Sequence, residues 1–111
     1  MSRSIAERDW KVFREVREAA LARFCEKILV EAEGEIKRPG RSPHERYRSL
    51  FQHLQKRDDD IARAFDNFRR STALMQMGLM YSMGLFTADE LSRLSPETRD
   101  ALEVYASISK G

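Results

Sequence analysis

The sequence predicts an all-α fold: a helical bundle built on a long antiparallel helix hairpin, with two short C-terminal helices. Three observations predict it. Only three prolines and five glycines interrupt 111 residues. Apolar side chains recur at the helical period of 3.6, while β-branched residues are sparse and never alternate with polar ones. Ser or Thr followed three residues later by Glu, the signature of a helix start, occurs at Ser4, Ser42 and Thr87. A chain of this length makes a single helical domain, residues 1–111, with one core.

The elements follow in order. Ser4 and Glu7 form a capping box, in which each side chain satisfies an orphan amide. Ala6, Trp10, Phe13, Ala20, Leu21, Phe24, Ile28 and Ala32 then form one stripe. Gly34 is the expected stop, which places helix 1 at residues 5–33. Residues 35–41 are a loop, with Pro39 and Gly40 as its turn. Ser42, Pro43 and Glu45 supply an N-cap, a first-turn proline and the second box, so helix 2 starts at Pro43. Its stripe is Tyr47, Leu50, Phe51, Leu54, Ile61, Phe65 and Phe68, and it stays in phase through Thr72, Met75, Leu79 and Met83. Helix 2 therefore either runs unbroken to residue 83, about 60 Å at 1.5 Å per residue, or bends near Ser71 and Thr72. Gly84 ends it. Thr87 and Glu90 form the third box, and Phe86 and Leu91 a hydrophobic staple, for a short helix at 88–94. Ser95 and Pro96 begin the last helix, at 96–107.

Residues 71–88 form the only long run without a charge in a chain that is 34% Asp, Glu, Lys and Arg. Four of the five methionines lie there. A helix apolar on every side must be surrounded. Helix 1 covers only one face of residues 43–70, so part of residues 71–83 is expected to meet a second copy of the chain. Leu74, Met77, Gly78, Met80 and Tyr81 are the expected interface, with methionine adapting to an irregular partner and Gly78 allowing close approach. The run is marginal for a bilayer core and carries Ser, Thr, Gln and two Gly, so no membrane span is expected. Residues 84–91 resemble the Gly-apolar-apolar-Thr-x-x-Glu connector of short bacterial C-terminal oligomerisation domains; nothing further is carried over from eight residues.

Two charges fall inside apolar stripes: Arg17 on helix 1 and Asp58 on helix 2. Folding the helices about a loop centre near residue 38 sets Arg17 against Asp58 and Asp59. It also sets Trp10 beside Phe65, Phe24 beside Phe51, and Ile28 beside Tyr47. An Arg17–Asp58 ion pair that fixes the register is therefore expected.

The chemistry-bearing residues form no recognised constellation. His44, His53 and Cys25 have no metal-ligand spacing, and three consecutive aspartates on a helix point about 100° apart and cannot converge on an ion. His53 reads as solvated and Cys25 as a small buried hydrophobe. No phosphate loop or nucleophile elbow is present. No enzyme activity, cofactor or metal is expected. One cysteine and no apolar leader suit a cytoplasmic protein. A net charge of +2 gives no general pull toward nucleic acid. Residues 37–48 do concentrate Lys37, Arg38, Arg41, Arg46 and Arg48 against Glu45 alone, at a helix N-terminus. Arg38, Arg41, His44 and Arg46 are thus candidate anion ligands. The expected function is a small non-enzymatic helical protein acting by protein–protein association as a homodimer, possible partners being other proteins; the alternative is anion or nucleic-acid binding through residues 37–48.

Overall fold

The structure, a computed structural model, describes residues 5–110. Helix α1 spans Glu7–Ile36 and α2 spans Pro43–Phe65. A single 3-10 turn at Arg70–Thr72 leads into α3, Ala73–Ser82, followed by α4, Ala88–Ser92, and α5, Pro96–Lys110. The described residues contain no strand. The fold is all-α, as the period and the caps predict.

Two of the three expected capping boxes form. Ser42 Oγ accepts from the Glu45 amide while Glu45 accepts from the Ser42 amide, and Thr87 and Glu90 do the same. The third box rests on a residue that is not described, and the start of the helix is later than the expected residue 5. Ser4 lies outside the described residues, and α1 starts at Glu7 with Ala6 as an N-cap that offers no side-chain bond. Gly34 does not stop α1, which continues to Ile36 before Lys37 caps it. Glycine ends a helix by taking a positive φ, and the glycines that do so are Gly40 and Gly84.

Helix 2 neither runs unbroken to residue 83 nor bends near Ser71 and Thr72: it breaks fully after Phe65. Asp66 leaves the helix in an extended conformation and Asn67 takes a left-handed φ of 56°. Asparagine tolerates that region better than most residues. Tertiary contacts hold the break open. Arg17 donates to the Phe65 carbonyl at the C-terminus of α2, where a cation also meets the negative end of the helix dipole. Gln76, buried on α3, donates to the Asp66 carbonyl. Phe68, just past the break, stacks on Trp10 at 4.9 Å between ring centroids.

Because the chain turns at the break, α3 folds back into the core. Met77 and Met80 are fully buried there with Phe13, Phe24, Phe65 and Leu102. Helix α5 covers α3, and the two approach closely at Gly78: a Cβ there would lie 2.6 Å from Tyr105 Cγ. The first turn of α1 locks α5 in place. Asp9, 1% exposed, accepts from the Ser95 amide (2.8 Å), the Ser95 hydroxyl (2.7 Å) and the Thr98 hydroxyl (2.7 Å). Further along, Arg23 forms a two-toothed ion pair with Glu90 at 2.7 and 2.9 Å and donates to the Leu85 carbonyl. The core thus gathers around the N-terminal two-thirds of α1. The far end of α1 and the start of α2 project from it, giving extents of 51 × 29 × 25 Å.

Candidate functional site

Most of the methionine-rich segment is covered by its own chain, while Met75 remains 45% exposed. Met77, Gly78 and Met80 are buried, while Leu74 and Tyr81 are half-buried against the core. Tyr81 donates its hydroxyl to Glu103 of α5. The sequence reading gave this cover to a second copy because it read residues 71–83 as an extension of helix 2, beyond the reach of α1. The break after Phe65 removes that extension, and Gly78 makes its close approach to Tyr105 instead.

The expected Arg17–Asp58 pair does not form. Arg17 does point inward, but to the Phe65 carbonyl, with its guanidinium 4.4 Å from the Phe68 ring centroid and 5.7 Å from that of Phe65. Asp58 is exposed. The register is also different: Trp10 meets Phe68 rather than Phe65, and Phe24 meets Phe65 rather than Phe51. Of the three aspartates, Asp60 is the one held by neighbours, Arg57 and Arg63.

The contact between the outer half of α1 and the first turns of α2 is polar. Glu31 accepts from Arg57 at 2.7 and 3.0 Å and lies 2.9 Å from His53 Nε2. Ser49 donates to Glu35 at 2.6 Å, and Arg46 donates to the Ile36 carbonyl at 2.7 Å. The Arg57 and His53 bonds hold the Glu31 carboxyl below the usual carboxylate range, against a smaller opposing effect of burial. The Ser49 hydroxyl does the same for Glu35. His53 is therefore half-buried against α1, not solvated as expected. Cys25 is exposed, not buried. Ser49, His53 and Glu31 lie near one another, but hydroxyl and imidazole each face a carboxylate of α1 rather than each other. This arrangement ties two helices together and prepares no nucleophile. Among the described residues no three His, Cys, Asp or Glu side chains are placed to hold a metal ion.

This polar seam redirects the apolar stripe of α2. Arg46, Ser49, His53 and Arg57 share the face toward α1. Tyr47, Phe51 and Leu54, at i, i+4 and i+7, lie one residue step round the helix, about 100° away. They are 64%, 52% and 41% exposed. Tyr47 and Phe51 stack on each other at 6.5 Å, and neither ring is covered. Ile36, Pro43, Arg46, Tyr47 and Leu50 line a shallow groove beside them, and Leu29 is exposed about two turns before Ile36 on α1. The sequence reading found these stripe residues but assigned them to the core. The acids opposite them, Glu31 and Glu35, were the available signal, because an acidic stretch of α1 calls for the basic and hydroxyl side of α2.

The candidate anion ligands are only partly available. Lys37 pairs with Glu33 and Arg38 with Glu35, each on the last turns of α1. Arg46 is spent on the Ile36 carbonyl. Arg41 and His44 are exposed. No helix among the described residues is long and apolar enough to cross a membrane. Comparison of this chain with models of protein families, with curated proteins and with solved structures finds no match.

Proposed function

We propose that this chain is a small non-enzymatic helical protein that acts by association through the outer face of α2, as a homodimer. One observation carries the reading. Tyr47, Phe51 and Leu54 make an uncovered aromatic and aliphatic stripe on a strongly amphipathic helix that, over residues 46–57, turns its polar face to its own chain, while the stripe enters the core only further on, at Phe65. Single exposed apolar residues are ordinary on a protein surface, but a contiguous patch with stacked aromatics and a charged rim marks an interaction site. Tyrosine and phenylalanine are also the residue types that concentrate at the centres of interfaces.

Solution mass by light scattering after size exclusion tests the reading, using wild type and Phe51→Glu. Phe51 is exposed in the single chain, so its replacement leaves the fold intact by circular dichroism. The wild type is expected at the mass of a dimer and Phe51→Glu at that of a folded monomer. A monomeric wild type at high micromolar concentration overturns the proposal, as does a dimer indifferent to Phe51→Glu. Met80→Glu, which the sequence alone suggests as the interface probe, places a carboxylate in the core and is expected to unfold the chain.

A further inference from the structure

The outer face of α2 also carries charge, and the charge is segregated along the helix. His44 and Arg48 flank the apolar stripe at its start, with Arg41 just before the helix. Asp58 lies at the far end of the stripe, on the same side as Tyr47 and Leu54 and about four turns from His44. Most other charges of α2 are committed inside the chain: Glu45 to its cap, Arg46 to Ile36, His53 and Arg57 to Glu31, and Asp60 to Arg57 and Arg63. Arg41, His44, Arg48 and Asp58 are exposed, and none makes a hydrogen bond or ion pair within the described residues. The face is therefore basic, then aromatic, then acidic, read from the start of the helix.

A surface with that order is complementary to itself when turned end for end. Phe51 stands midway between His44 and Asp58, seven residues from each. We infer, resting on the association reading above, that the second copy lies antiparallel on α2 about a two-fold axis at Phe51, setting Asp58 of each copy among Arg41, His44 and Arg48 of the other. The two Phe51 rings meet at the centre, and Tyr47 and Leu54 pack on either side. Such an interface is isologous: every contact occurs twice, and the pairing closes with two chains. The opposed direction also sets the two helix dipoles antiparallel. A parallel pairing on the same face would set Asp58 against Asp58 and Arg48 against Arg48, which repels at both ends.

Charge exchange within the full chain tests the orientation. Asp58→Arg is expected to weaken the dimer about tenfold, because two symmetric attractions of modest size become repulsions. His44→Asp alone also weakens it. The double variant, Asp58→Arg with His44→Asp, inverts both partners of the contact and recovers most of the wild-type affinity. Both positions are exposed, so the monomer fold is unchanged, and dissociation constants come from sedimentation equilibrium. A Cys25→Ser, Phe51→Cys variant reads whether Phe51 lies on the axis rather than the direction of pairing: residues on a two-fold axis face their own copies, so oxidation yields a disulfide-linked dimer. If the double variant is no tighter than Asp58→Arg alone, the antiparallel pairing is overturned. It is equally overturned if Asp58→Arg mixed with wild type prefers the mixed dimer over either homodimer, which is the mark of a parallel pairing. In both cases a wild-type dimer that Phe51→Glu dissociates leaves the association reading standing, whereas a monomeric wild type removes that reading itself.

Discussion

Asp9 is a charge inside an apolar stripe, and its surroundings give it a reason to be there. It sits one turn before Phe13 and in phase with Val16 and Ala20, all buried. Burial alone would raise its pKa, but the hydrogen bonds from Ser95 and Thr98 outweigh burial, and the carboxyl is held below its ordinary value. A carboxylate with a depressed folded pKa adds stability that is complete above the ordinary carboxylate range and fades as pH falls through the folded value. Asp9→Asn turns one oxygen acceptor into a donor facing other donors, so it should cost about 1–3 kcal/mol near neutral pH. Urea unfolding checks this: the gap between wild type and Asp9→Asn should shrink as pH falls below the ordinary carboxylate range and the wild type protonates. A gap that stays constant with pH would mean that charge at Asp9 does not matter. Arg17 shows the same logic with the opposite charge. The sequence marks it as inward-facing, and a main-chain carbonyl with two aromatic faces, not a carboxylate, receives it. Cation–π contact and a helix C-terminus receive the guanidinium without a second buried charge, although its Nε is left without a hydrogen-bond partner.

The helices themselves were legible wherever a local rule places them. The starts of α2 and α4 fall where Ser42 and Thr87 put them, because a capping box needs only four consecutive residues. Helix ends were less legible. Gly34 and Gly78 are both glycines inside helices, yet they serve opposite ends, and only packing distinguishes them. A Cβ on Gly34 meets nothing within 4 Å, whereas one on Gly78 runs into Tyr105. Gly34→Ala should therefore stabilise the protein by about 0.5–1 kcal/mol through backbone entropy. Gly78→Ala should destabilise it by about 1–3 kcal/mol through overpacking of α3 on α5. Chemical denaturation of the two variants side by side decides it, and stabilisation by both would mean that α3 and α5 do not approach as closely as described. The break after Phe65 was not legible at all, since the apolar phase continues across it. It depends on Arg17 and Gln76, which lie far away in sequence and claim the carbonyls of Phe65 and Asp66.

At the scale of the whole molecule, the chain divides into a well-covered base and a projecting arm. The base buries α3 between α1, α2 and α5, and it is tied by Asp9 to α5 and by Arg23 to Glu90 and Leu85. The arm, from Leu29 to Leu54, has exposed apolar residues on both helices. If the chain associates through that arm as proposed, stability is coupled to mass action, because a partner that binds only the folded chain raises its melting temperature with concentration. The wild-type Tm should therefore rise by several degrees across a hundredfold range of protein concentration, while Phe51→Glu melts at one temperature throughout. A concentration-independent wild type would mean that folding and association are not linked. The sequence pattern suggests an association surface on the base and a buried stripe on the arm; the structure buries Met77 and Met80 and leaves Tyr47, Phe51 and Leu54 exposed. Every residue of both sets was recognised as apolar; which set its own chain covers could not be read from the pattern.

The sequence by itself determined the all-α class, the two capped helix starts, the turn at Gly40, the inward phase of Arg17 and the apolar stripe of α2, because each depends on residues within a few turns of one another. Tertiary structure alone decided the break after Phe65, the polar seam of Glu31, Glu35, His53 and Arg57, the burial of Met77 and Met80 beneath α5, and the exposure of Tyr47, Phe51 and Leu54. The reason is geometric. Periodicity says which residues share a side of a helix, but a helix with two usable sides meets its neighbour on whichever one the neighbour's own side chains satisfy, and here the acids of α1 take the polar side of α2 over residues 46–57 and leave Tyr47, Phe51 and Leu54 outside.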